Sequence, residues 1–206
     1  MTATSRKEKA AETETALKAA AKRVFARKGY LNTKITDITA EAGRAAGSFY
    51  NHFAGKEELL GSLLADLAAS GDENAENEDH KSDFTDPAAV RWHVQLYWDY
   101  YKEHAATMLA LRQAAMVSET FAKTLASFGA TQARDLDDHL AHITRAGLRL
   151  PARTDLCTAM MFQLVDNFAS MWLIDPAPEG WVPPSDDEAV EALTRFVYRG
   201  FTGKDF

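Results

Sequence analysis

The chain is 206 residues long, with 46% apolar and 26% charged residues, which excludes a disordered or fibrous protein. No apolar run reaches membrane-spanning length, and the polar start MTATSRKEKAAETE predicts no secretory signal, hence a soluble, cytoplasmic protein. The lone Cys157 excludes an internal disulfide or a multi-cysteine metal site, and the net charge of −7 taken alone argues against a nucleic-acid partner.

That charge is unevenly spread. Residues 1–56 hold 11 Lys/Arg and 5 Asp/Glu, whereas residues 57–206 hold 12 and 25. A basic end on an acidic body predicts that only the end meets a polyanion. A solvated basic helix would show the same charge, so the asymmetry needs a motif beside it.

In chain order, helical periodicity dominates and strand signals are nearly absent. Residues 12–28 place Leu17, Ala20, Ala21, Val24 and Phe25 on one face, and Gly29 stops the helix. Short helices follow over 35–42, opened by Thr33 or Thr36, and over 46–52, carrying Phe49 and Tyr50. A fourth runs over 56–69 with the stripe Leu59/Leu60, Leu63/Leu64 and Leu67. Residues 71–86 carry seven acids and one lysine and read as a solvated linker. Helical periodicity returns over 88–104, 106–116, 119–147, 153–174 and 187–201, with Pro151 and the Pro-rich stretch 177–184 marking the last boundaries.

The stretch from Thr36 to Lys56 carries the function. Two short helices meet at a Gly-containing turn, the layout of a helix-turn-helix. Ile38, Ala42, Phe49 and Phe53 face the core, and Gly43 takes the turn, where positive φ is often needed. Gly47 allows close backbone approach, and Ser48, Tyr50, Asn51 and His52 project polar groups from a helix that does not need them for stability.

Gly29-Tyr30, Thr33, Ile35, Asp37-Ile38, Ala42-Gly43, Gly47, Phe49-Tyr50, His52-Phe53, Lys56 and Leu59 or Leu60 stand in the register of the TetR family of transcriptional regulators. The sequence resembles that family over residues 12–70; the rest is similar only in length and helical content. The resemblance implies that Thr36, Ser48, Tyr50, His52 and Lys56 touch the DNA backbone, setting register and affinity. Three positions depart from the family: Lys34 replaces a frequent Thr, Arg44 a small apolar residue, and Ala45 a frequent capping Ser. Arg44 is then placed to add a phosphate contact or a bidentate guanine contact, and base reading leans on Arg44, Ser48 and Asn51.

For the body, the resemblance implies pairing through the last two long helices, presenting two heads to successive major grooves of a near-palindromic operator. The broad apolar faces there nominate Met161, Leu164, Val165, Phe168, Trp172, Val190, Leu193 and Val197 as dimer interface, the alternative being an intrachain core. The middle segment is rich in aromatic, Met and polar groups, a lining suited to a mostly apolar cavity. Trp98, Tyr101 and Phe168 are nominated as pocket wall, with Asn167 or His104 as polar anchors. An aromatic stripe is also what plain core looks like.

His139 and His142, beside Asp135 and Asp138, have i, i+3 spacing for a divalent ion. The run is mostly charged and reads as a solvated face, so no metal and no cofactor are assigned. Cys157 reads as buried packing. The prediction is an all-α homodimer with a three-helix DNA-binding head (1–56) and a helical ligand-binding and dimerisation body (57–206). Its partners are double-stranded DNA and a small-molecule effector, with no membrane. The function is a DNA-binding regulator, a repressor released by that effector. A regulator without small-molecule inducer is the alternative; a helical enzyme would need converging acid, base or metal groups that the body does not display.

Overall fold

A computed structural model of the chain describes residues 5–75, 80–175 and 179–206. The first helix, α1 (Arg6–Lys28), begins before the apolar stripe does. The Ser5 hydroxyl accepts the Glu8 N–H at 3.2 Å, and the Glu8 carboxylate accepts the Ser5 N–H at 2.6 Å. This reciprocal capping box satisfies two of the orphan donors at a helix start. It extends the helix through exposed polar residues ahead of the expected start at residue 12. Leu17, Ala20, Ala21, Val24 and Phe25 are buried as the periodicity requires. Gly29 ends the helix at φ +70°, and a Cβ there would meet the Gln113 side chain at 3.0 Å. Only glycine suits both constraints.

α2 (Ile35–Glu41) and α3 (Ala46–Phe49) follow, then α4 (Lys56–Ala75). Helix α2 begins at Lys34, whose N–H donates to the Asp37 carboxylate at 2.9 Å, rather than at a threonine cap. Helix α4 continues past the expected end at residue 69 into the acidic stretch, correcting the linker reading for residues 71–75. Residues 76–79 of that linker, and residues 177–178 of the Pro-rich stretch, lie outside the described residues.

Helix α5 (Pro87–Val117) joins the two segments expected over 88–104 and 106–116, with a kink at His104 (φ −108°, ψ 15°). The long helix expected over 119–147 is two: α6 (Glu119–Arg134) and α7 (Asp137–Arg145), separated at residues 135–136. α8 (Thr154–Leu173) and α9 (Asp186–Thr202) complete the chain. A second capping box, Ser185 with Glu188, starts α9, and Gly203 in the left-handed region ends it. No strand occurs among the described residues, and none of their helices is long and apolar enough to cross a membrane.

The chain packs as two compact units: residues 1–72 with 106–125, and residues 73–105 with 126–206. The first is therefore larger than the basic segment 1–56, taking in most of α4 and the second half of α5. Its core includes Leu17, Phe25, Ile38, Phe49, Leu59, Leu60 and Leu63, all fully or almost fully buried. The second unit buries Phe84, Trp98, Tyr101, Leu140, Ile143, Cys157 and Val190.

Candidate nucleic-acid interface

The turn between α2 and α3 follows from one glycine. Gly43 lies at φ +61°, with nothing near enough to contact an added Cβ, so conformation rather than space requires it. The Arg44 N–H donates to the Thr39 carbonyl at 2.9 Å and the Gly43 N–H to Ala40 at 3.1 Å. These are the two bonds of a Schellman motif, closing α2 and redirecting the chain into α3. Helix α3 is four residues long and has no side-chain cap at Ala45. A helix that short is unstable by itself, so it is held by packing: Phe49 is fully buried, 5.7 Å from the Phe53 ring.

Ion pairs fix α2 against α1. Glu41 accepts from Arg23 at 2.6 Å and Arg27 at 2.5 Å, and Asp37 accepts from Lys28 at 2.8 Å. These hydrogen bonds hold both carboxyls below their usual range. Both stay ionised at neutral pH, and by pairing with α1 cations they neutralise part of the head's excess of positive charge. Exposed Arg6, Lys7, Lys9 and Lys34 add to the basic surface.

The nominated DNA-contact residues divide by exposure. Thr36, Gly47, Tyr50 and Asn51 are exposed, Tyr50 at 61%. Gly47 has open space where a Cβ would stand. The Ser48 hydroxyl donates to the Ala45 carbonyl at 2.7 Å, so lone pairs are what it has left to offer. Half-buried His52 lies 3.9 Å from Glu14. Arg44 pairs with exposed Glu12 at 3.3 Å, a contact of the kind worth about 0–1 kcal/mol. Its Nε is buried without a hydrogen-bond partner, so the guanidinium is loosely held and exchange for a better acceptor costs little.

Lys56 is turned inward. Its ammonium donates to the carbonyls of Tyr30 at 2.5 Å and Thr33 at 2.8 Å and sits 4.1 Å from the Tyr30 ring centre. Burial pulls its pKa down. The lysine clamps the chain after α1 against the start of α4, a role its sequence position did not reveal. Lys56→Met leaves two part-buried carbonyls without their donor and should cost about 1–3 kcal/mol. Urea unfolding measures this; an unchanged midpoint would mean that water replaces the ammonium.

In the second unit, Trp98 and Tyr101 are buried, and Phe168 is half-buried with its ring 6.2 Å from Trp98. Trp98 Nε1 donates to Asp186 at 3.0 Å. His104 stacks edge-on against Tyr100 at 4.6 Å, and Asn167 is exposed, donating to Gln163 on its own helix. An open groove on this unit is lined by other residues, among them Lys81, Arg91, Trp92, Gln95 and Asp99.

Of the nominated interface residues, Met161, Val165, Val190, Leu193 and Val197 are already buried by their own chain. Leu164, Phe168 and Trp172 are half-buried. The apolar side chains that α8 and α9 leave exposed lie on a different face: Leu156 and Met160 on α8, Phe196 on α9. The nominated set thus lies mostly on the inward face of these two helices. His139 also differs from expectation: it is buried with Leu140 and Ile143 on the inner face of α7, so the solvated-face reading holds for its charged neighbours and not for it.

A Schellman turn between two short helices, an anchored second helix and exposed polar groups beside a basic surface define a helix-turn-helix DNA-binding protein. Residues 17–63 match the family model described as bacterial regulatory proteins, tetR family. Over these residues the chain carries a tetR-family domain, and it is a DNA-binding transcriptional regulator. It is 28% identical to ArpR of Pseudomonas putida, named a probable HTH-type transcriptional regulator, over 82% of this chain and 84% of that one. It is 40% identical to the HTH-type transcriptional regulator TtgR of Pseudomonas putida over 35% of this chain and 36% of that one. In fold it is similar to the transcriptional regulator FadR of Bacillus subtilis, solved with stearoyl-CoA, at TM-score 0.72 and 18% identity, covering 91% of this chain and 98% of that one.

Proposed function

We propose that the protein is a cytoplasmic, non-enzymatic, homodimeric repressor released from a near-palindromic operator by a small-molecule effector. Residues 1–56 read DNA, and residues 57–206 dimerise and receive the effector. The carrying observation is the α2–Gly43–α3 turn, with Tyr50 and Asn51 exposed and Arg44 loosely paired. Thr36, Ser48, Tyr50 and His52 meet phosphates, Gly47 lets the backbone approach, and Arg44 and Asn51 reach base edges. Lys56 acts by positioning the head.

The dimer forms on the exposed faces of α8 and α9. Leu156, Ala159 and Met160 repeat at helical spacing on α8, as do Ala192, Phe196 and Gly200 on α9, and all six are exposed. Effector binding is placed beside Trp98, Tyr101 and Phe168, with His104 and Asn167 as polar anchors. FadR's complex with stearoyl-CoA supports a ligand-receiving body in this fold without naming the ligand here. To release DNA, the effector must bind better to the conformation whose heads fit the operator poorly.

Arg44→Ala tests the base reading. On duplexes varied one position at a time, it should relax preference at one position per half-site by about 1–3 kcal/mol. Uniform weakening across all duplexes would instead make Arg44 a phosphate contact.

A further inference from the structure

Three histidines of the second unit have no part in DNA reading or in the proposed dimer. His80 precedes α5, His93 lies on α5 and His139 on α7, and their ring nitrogens converge. His80 Nε2 is 3.3 Å from His93 Nε2 and 2.8 Å from His139 Nε2. One ring nitrogen from each lies within 4.8 Å of the other two.

Proton bookkeeping makes this arrangement uncomfortable without a cation. His93 Nδ1 is 2.9 Å from the Ala89 carbonyl, which can only accept, so the proton sits on Nδ1. His93 Nε2 therefore presents a lone pair toward His80 Nε2. If His80 Nε2 carries a proton, that one proton must serve both His93 and His139. If it does not, two lone pairs face each other across 3.3 Å. A cation among the three nitrogens satisfies every lone pair at once.

We propose that His80, His93 and His139 bind a divalent transition-metal cation of the zinc class through three imidazole nitrogens, leaving a fourth position to water. Zinc–nitrogen distances of about 2.0–2.1 Å in a tetrahedron set ligand nitrogens about 3.3 Å apart. The His80–His93 separation already has this value, and the His80–His139 pair needs to open by about 0.5 Å to reach it. The bond from His93 Nδ1 to a backbone carbonyl is the outer-shell contact that fixes the tautomer of a metal-ligating histidine. Phe84 packs edge-on against His93 and His139, with ring centres 5.0 and 5.2 Å apart, and Trp92 lies 5.2 Å from His80 and 4.8 Å from His93. This aromatic wall orients the imidazoles and screens them from water. Burial also pulls His93 and His139 down to about 4, keeping both in the neutral, ligating form at physiological pH. By joining His80 to His93 and His139, the ion would pin the start of the 80–86 segment to α5 and α7. The spacing, with ligands 13 and 46 residues apart, carries no local motif, so the site is visible only once the chain is folded.

The test is titration of the chelator-stripped, full-length protein with Co2+, followed by displacement with Zn2+. A single equivalent of Co2+ should produce the intense visible absorption of a four-coordinate ion, and Zn2+ should abolish it and raise the thermal midpoint. His80→Ala, which lies outside any helix, and His93→Gln should each lose the absorption while unfolding at the wild-type midpoint in chelator. His142→Ala, one turn further along α7 and outside the cluster, should retain it. Absence of the band in the wild type, or its persistence in both His80→Ala and His93→Gln, would overturn the assignment.

Discussion

Phe49→Ala is expected to remove about 3–5 kcal/mol of stability and to abolish operator binding. Phe49 is fully buried at the end of a four-residue helix without a cap, and its ring meets both Phe53 and Tyr50 at 5.7 Å. So short a helix derives its orientation from this anchor rather than from its own hydrogen bonds. Truncation to Ala empties a cavity in the head and frees Tyr50 and Asn51 from their fixed direction. Denaturant unfolding reads the first effect and fluorescence anisotropy with a bound duplex reads the second. A loss below about 1 kcal/mol, with DNA binding intact, would place the anchor elsewhere.

Phe196→Glu should produce the other large effect. Phe196 is 68% exposed on α9, between the small residues Ala192 and Gly200 at helical spacing. On a two-fold interface the substitution introduces two carboxylates, one from each protomer, into an apolar contact. The variant should sediment as a folded monomer. Its affinity for a palindromic duplex should fall by at least about 100-fold, the factor lost when a second linked contact is removed. Retention of the dimer would move the interface off this face.

The head was largely legible in the sequence because its signals are local. Gly43 marks the turn, Ile38, Phe49 and Phe53 mark the core, and the structure buries all three apolar residues. What escaped depended on partners distant in sequence or on polar chemistry that apolar periodicity ignores. The start of α1 is set by Ser5 and Glu8, and the continuation of α4 passes through residues too polar to register. Lys56 looks like any surface lysine until Tyr30 and Thr33 present their carbonyls to it. His139 sits among aspartates and another histidine, yet it shares the buried face of α7 with Leu140 and Ile143. In α8 and α9, apolar residues cover more than one face, and the pattern alone does not say which face the chain covers first. Folding buries Met161, Val165 and Val190 and leaves Leu156, Met160 and Phe196 outside.

Selection of duplexes from a random pool by the purified protein, with anisotropy titration of the winners at two salt concentrations, is the most direct test of the central claim. A near-palindromic sequence should be enriched, with affinity falling steeply as salt rises. Each neutralised phosphate adds about −0.9 to the slope of log affinity against log salt. Weak, sequence-independent binding with no enrichment, or a flat salt response, would contradict the assignment of the basic head as a reader of DNA.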